Sequence, residues 1–335
     1  MNHTPTLGER IATRMRDKLK PQGLNTQLAY QRYVAEQILN GFKAEYPNIF
    51  LVGGGLIHDQ RDCQTGDVDI RFVRQASVEE LQNVFIQIAP MLQNYGIKLE
   101  KIHPPVYLDM PNRIPGMKFQ IVAKLGNARV DTHIDMSFGD GRKCAFPPSG
   151  KWDAKTPVLM EGLPIHVGRV QRIETQVAEK LVAILDRGQS NTRMKDYANI
   201  AMVADKLDRD FLASEIARVM EDRYLESPIL KDVPDGLDLS LLRSEDKIAE
   251  WASFVRKTGR PVDMMEALCA VRQIYAQARP KALSLAVARE QNEMLQLLDQ
   301  PHAMRLPKPR RAAEKKASTG NIIDLDRYRQ TAPRM

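Results

Sequence analysis

Asp67 and Asp69 stand two residues apart in Thr65-Gly66-Asp67-Val68-Asp69-Ile70. On a strand, residues i and i+2 share a face, so both carboxylates would project to the same side. Carboxylates that close repel each other unless a cation neutralises them. Hard oxygen ligands in this number suit Mg²⁺, which commonly takes one or two carboxylates together with substrate phosphates. Further acidic residues lie in Val130-Asp131-Thr132-His133-Ile134-Asp135-Met136, where Asp131, His133 and Asp135 share one face and the apolar residues and Thr132 the other. A third carboxylate from such a neighbouring strand would complete a site for two ions ~3.5–4 Å apart, one activating an attacking oxygen and the other stabilising the leaving one. Upstream, Phe50-Leu51-Val52 runs into Gly53-Gly54-Gly55. Glycines after a strand let backbone N–H groups approach phosphate oxygens, although a plain tight turn would read the same way. A zinc site on His133 would need a second histidine or a cysteine nearby, and none is convincing.

These residues need elements to hold them. Tyr30, Tyr33, Val34, Ile38 and Phe42 repeat at helical spacing within 25–45, and Ile49–Val52 is a short apolar run. Val68–Val73 reads as a strand. Ser77-Val78-Glu79-Glu80 is a capping box that opens a helix through Leu81, Val84, Phe85, Ile88 and Leu92. Phe119–Leu125 and Ala128–Met136 flank Gly126-Asn127, a hairpin signal. The stretch around Cys144–Pro157 reads as a connection, followed by a short strand pair within Pro157–Val167. From Ile173 the texture turns helical, with a stripe to Gly188 and further segments over 193–207, 209–222, 243–258, 262–278 and 281–299. The organisation predicted is a flexible lead-in (1–24), an α+β domain (25–170), an all-helical domain (171–300) and a disordered basic tail (301–335).

The 335 residues carry a formal charge of +7. The last 35 residues hold nine of the 49 basic and three of the 42 acidic residues, leaving 40 against 39 in the rest. The body is thus close to neutral, and the tail carries nearly all of the excess. Such a Pro-, Lys- and Arg-rich segment is either a solubilising terminus or an arm that contacts nucleic acid. No apolar run approaches the ~18 residues of a membrane helix, and the N-terminus lacks the apolar stretch of a secretory signal. Cys63, Cys144 and Cys269 are scattered, as in a reducing compartment, so a cytoplasmic protein is expected.

In order along the chain, these pieces resemble the AbiEii/AbiGii-type nucleotidyltransferase toxins of the DNA-polymerase-β-like superfamily. The motifs are Gly53-Gly54, Thr65-Gly66-Asp67-Val68-Asp69 and Ile134-Asp135-Met136-Ser137-Phe138-Gly139-Asp140. Two more follow, Glu174-Thr175-Gln176-Val177-Ala178-Glu179-Lys180-Leu181 and Arg193-Met194-Lys195-Asp196-Tyr197-Ala198-Asn199. Together they span about residues 49 to 200. The resemblance implies a polymerase-β-like domain that transfers a nucleoside monophosphate from an NTP to an acceptor hydroxyl, with RNA such as tRNA the expected acceptor and a protein hydroxyl its rival, as a toxin of a toxin–antitoxin or phage-defence system.

It further implies two Mg²⁺ ions on Asp67, Asp69 and Asp135, with Asp131 and His133 left solvent-facing or in support. Triphosphate contacts would come from Gly53, Gly54, Thr65 and Lys180, and Asp196 would be a later essential aspartate acting as support or base. Without the resemblance, Lys180 reads equally as a surface lysine and Asp196 as an intrahelical charge partner. Four positions depart from the family pattern: Val52 in place of lysine, Gly55 in place of Ser/Thr, Cys63 in place of arginine and Asn199 in place of the final aspartate. They bear on nucleotide selectivity and rate. The three carboxylates remain, which favours an active enzyme. The alternatives are a lapsed nucleotide- or RNA-binding module and a phosphotransferase on the same scaffold.

Overall fold

A computed structural model describes residues 4–22, 25–45, 50–51, 68–72, 76–107, 116–138, 149–153, 167–223, 225–258, 262–298 and 323–324. The chain forms two compact units, Met1–Gln171 with Ala317–Met335, and Arg172–Lys316.

Among the described residues, the first unit is built on a nine-stranded mixed sheet. Its strands are β1 (Phe50–Leu51), β2 (Val68–Phe72), β3 (Ile97–Ile102), β4 (Val106–Tyr107), β5 (Gly116–Leu125), β6 (Ala128–Phe138), β7 (Ser149–Asp153), β8 (Val167–Gln171) and β9 (Ile323–Asp324). They lie in the order β7-β8-β1-β2-β6-β5-β3-β9, with β4 also on β5. The β5–β6 hairpin turns at Gly126-Asn127 and keeps register from Leu125↔Ala128 to Gly116↔Ser137. β2 runs parallel to β6, and this pairing is the one that matters for the site.

β6 alternates as its sequence dictates: Val130, Ile134 and Met136 are fully buried, while His133 and Asp135 are half-buried and Asp131 is exposed. The apolar face packs with two helices, α2 (Thr26–Glu45) and α3 (Val78–Gln93). Ser77 caps α3 through the expected capping box. Phe85 of α3 lies 4.9 Å from the Phe42 ring of α2 and 5.4 Å from the Phe119 ring of β5. Burying each such ring contributes roughly 1.5–3 kcal/mol, enough to fix which face of β6 points inward. The polar face of β6 is thereby turned the other way.

Three expectations change. Residues 1–24, read as a flexible lead-in, contain helix α1 (Leu7–Leu19). Thr6 and Glu9 form a capping box, and Ile11, Met15 and Leu19, four apart, bury one stripe of it. The stretch around 144–157, read as a connection, contains β7, which pairs antiparallel with β8 rather than being skipped over; residues 154–166 lie outside the described ones. Within the tail, Ile323–Asp324 pair with the edge strand β3, supplying backbone partners that an edge otherwise lacks.

α1 enters through a junction of three glycines. A Cβ on Gly8 would stand 2.4 Å from the Gly126 nitrogen and from the Gly96 oxygen, and Gly96 and Gly126 adopt φ of +72° and +59°. Gly96→Ala therefore meets both a left-handed backbone and the Gly8 Cα at 2.6 Å. The substitution is expected to destabilise the protein by about 1–3 kcal/mol. Urea unfolding would measure this, and an unchanged midpoint would show that α1 does not need the close approach.

The second unit is helical. It contains α4 (Ile173–Arg187), α5 (Met194–Met202), α6 (Arg209–Asp222), α7 (Glu245–Thr258) and α8 (Met264–Leu298), with short 3₁₀ turns in the connections from α4 to α7. A core of Leu181, Ile184, Ile200, Ile216, Val271 and Ile274 holds them. The two segments predicted over 262–278 and 281–299 are one helix that continues through Pro280. Proline removes one backbone hydrogen bond, but Ala278, Ala282 and Ala286 are buried on both sides of it, and packing keeps the helix whole.

Candidate active site

The parallel pairing of β2 with β6 places Asp69 directly opposite Asp135. Residues in register on neighbouring strands point to the same face at a strand spacing of about 4.8 Å, so the two carboxylates stand side by side. The antiparallel pairing of β5 with β6 sets Lys118 opposite Asp135 on the other side. A row of Lys118, Asp135 and Asp69 thus crosses three strands on the face turned away from α2 and α3.

Lys118 Nζ lies 3.3 Å from Asp135 Oδ2, with the two side chains 31% and 26% exposed. Asp135 Oδ1 is buried and has no hydrogen-bond partner among the described residues. A buried, unpartnered carboxylate oxygen beside a second carboxylate is the donor set a hard divalent cation would satisfy, so these residues fit the metal that the sequence suggests. Among the described residues no three His, Cys, Asp or Glu side chains gather as a metal cluster. Asp67 lies outside the described residues, as do Gly53, Gly54, Thr65, Val52, Gly55 and Cys63.

Asp131 takes a different role. It is exposed and hydrogen-bonded by the Arg129 guanidinium, with Nη2 2.8 Å from Oδ1. That hydrogen bond holds its carboxyl below the usual range. His133 is half-buried on the same face.

In the helical unit, Lys180 of α4 and Asp196 of α5 meet. Lys180 Nζ is 3.0 Å from Asp196 Oδ1, and Arg193 Nε is 3.2 Å from Oδ2. The Asp196 side chain is only 1% exposed and that of Lys180 14%. Lys180 is therefore no freely solvated surface lysine, and each Asp196 oxygen already faces a cation. Tyr197, the next residue, donates its hydroxyl to the Gly236 carbonyl at 2.7 Å, and burial pushes its phenol up. Asn199, where the family pattern has aspartate, is buried one turn further along α5.

Sequence reasoning passes over Lys118 and gives Arg193 no role of its own. Lys118 is within its reach. Once the hairpin turns at Gly126-Asn127 with Leu125 opposite Ala128, counting back seven places sets Lys118 opposite Asp135. The Arg193 contact is an i,i+3 pair, the intrahelical charge partnering that the sequence allows for Asp196; the contact with Lys180 of α4, which buries Asp196 between helices, is what no local pattern encodes.

A family model described as "Nucleotidyl transferase AbiEii toxin, Type IV TA system" matches residues 38–276. Among solved structures, the MenT4 nucleotidyltransferase toxin of Mycobacterium tuberculosis is similar at a TM-score of 0.53 and 14% identity, covering 86% of this chain and 98% of that one. JHP933 from Helicobacter pylori matches at a TM-score of 0.44 and 14% identity, covering 83% and 100%. The likeness to MenT4 concerns the fold, an α+β nucleotidyltransferase architecture with a helical C-terminal region. No curated protein matches the sequence significantly.

Proposed function

Since the chain belongs to the AbiEii nucleotidyltransferase toxin family, we propose that it transfers a nucleoside monophosphate from an NTP to a hydroxyl of RNA, with divalent metal held by Asp67, Asp69 and Asp135. The observation that carries this reading is the unpartnered Asp135 Oδ1 set beside Asp69. Bound there, the metal would lower the cost of charge on the acceptor oxygen and the departing pyrophosphate. In the reaction the acceptor oxygen bonds to the α-phosphorus, the bond to the β-phosphate bridge breaks, and pyrophosphate leaves as the hydroxyl proton is released. Gly53, Gly54 and Thr65 would bind the triphosphate. An ammonium has three donors, so Lys180 can hold Asp196 and still offer N–H groups to a phosphate. Asp196, buried beneath Lys180 and Arg193, then orients them rather than receiving the acceptor's proton. The toxin family implies a cognate antitoxin, and no described helix is long and apolar enough to cross a membrane.

The test is to incubate the full chain with each α-labelled triphosphate, Mg²⁺ and total cellular RNA, then separate RNA from protein. Label on RNA with release of pyrophosphate supports the proposal. Label on protein would reassign the acceptor, release of nucleoside diphosphate would indicate a phosphotransferase, and no turnover with any triphosphate would indicate a lapsed enzyme.

The tail is proposed as the RNA arm. Because Ile323–Asp324 belong to the sheet, charge replacement is a cleaner probe than deletion. Six of the basic residues lie between Arg305 and Lys316. Changing these six to glutamine should flatten the salt dependence of RNA binding, by ~0.7 in the log–log slope for each single-strand phosphate no longer neutralised. Triphosphate affinity and melting temperature should stay as they were. An unchanged salt slope would return the segment to a solubilising role.

A further inference from the structure

Lys118 is absent from every motif that points to the site, yet it stands closer to Asp135 than any other described cation. The row across β5, β6 and β2 reads positive, negative, negative. Without bound metal, the negative charge of Asp135 beside Asp69 is met by Lys118 from the sheet itself. A half-exposed ion pair of this kind adds little to folding. Its stronger consequence is local, because a fixed ammonium at 3.3 Å both repels an arriving divalent ion and competes with it for Asp135. It occupies only Oδ2, while Oδ1 stays unpartnered. Metal entry is therefore weakened rather than blocked.

We propose that Lys118 is the resident counter-ion of Asp135, displaced from it when metal binds, and so sets the metal concentration at which the site loads. The proposal rests on the reading of Asp69 and Asp135 as metal-binding residues. It makes Lys118 a positioning residue that holds Asp135 in place in the metal-free protein.

Mn²⁺ binding, followed by electron paramagnetic resonance on the full chain, tests this without recourse to turnover. Lys118→Met keeps the aliphatic stem and removes the charge; it should bind Mn²⁺ about two- to fivefold more tightly than wild type, the scale on which partly exposed ion pairs act. Lys118→Arg retains the charge and should return to within about twofold of wild type. Asp135→Asn should lose most binding. If Lys118→Met binds no more tightly than wild type while Asp135→Asn still loses the ion, the counter-ion role is overturned and the metal site stands. If Asp135→Asn binds Mn²⁺ as wild type does, the carboxylate reading falls and the counter-ion role falls with it.

Discussion

Asp135→Asn is expected to lower nucleotidyl transfer by about a thousandfold or more while leaving the fold intact. Partners that merely orient metal ligands are each worth ~10–100-fold, so loss of a ligating carboxylate should cost more. The substitution is nearly isosteric, and its effects on stability oppose one another. It removes the 3.3 Å ion pair with Lys118 and also relieves repulsion against Asp69. Both are partly exposed, so the melting temperature without metal should move little, within the ~0.5 kcal/mol typical of surface substitutions. Added Mg²⁺ and triphosphate should raise the melting temperature of the wild type and not of the variant. A variant that retains wild-type turnover would remove Asp135 from the metal site. A variant that fails to fold would show that the residue is structural, which circular dichroism would reveal directly.

Much of this site is legible in the amino-acid sequence. The alternation of β6 is complete there: Val130, Ile134 and Met136 can be buried only if Asp131, His133 and Asp135 face the other way, and they do. The hairpin is equally legible because Gly126 takes the positive φ that such a turn demands. Pairing between distant strands is not. Nothing local in Val68–Phe72 says that it lies parallel to β6 with Asp69 against Asp135; that register comes from packing the whole apolar face against α2 and α3. α1 escapes for a related reason. Its three large buried residues, Ile11, Met15 and Leu19, are diluted among six charged ones, so the burying stripe shows only when the surface that covers it is known. The unbroken α8 shows the opposite failure, in which a strong local signal at Pro280 is overruled by buried alanines.

The other large effect is expected at Asp196, and it separates orientation from proton transfer. Its carboxylate is 1% exposed and held between Lys180 at 3.0 Å and Arg193 at 3.2 Å. Asp196→Asn keeps the shape and removes the charge, leaving an ammonium that is only 14% exposed without its anion. Breaking a buried pair from one side costs about 3–5 kcal/mol, because the remaining charge is left uncompensated. Lys180→Met should cost less, about 1–2 kcal/mol, since Asp196 keeps Arg193. The double variant should then be less unstable than the sum of the two single effects, because the second substitution removes the stranded charge. Urea unfolding of all four proteins gives that coupling energy directly. Kinetics supply the rest. If Asp196 serves by aiming Lys180 at the triphosphate, Lys180→Met and Asp196→Asn should raise the Michaelis constant for NTP in parallel, and the double variant should add nothing to either. If instead Asp196 received the acceptor's proton, Asp196→Asn would lower the maximal rate with the Michaelis constant unmoved, and Lys180→Met would not mimic it. Additive effects on stability together with that kinetic split would overturn the orienting role.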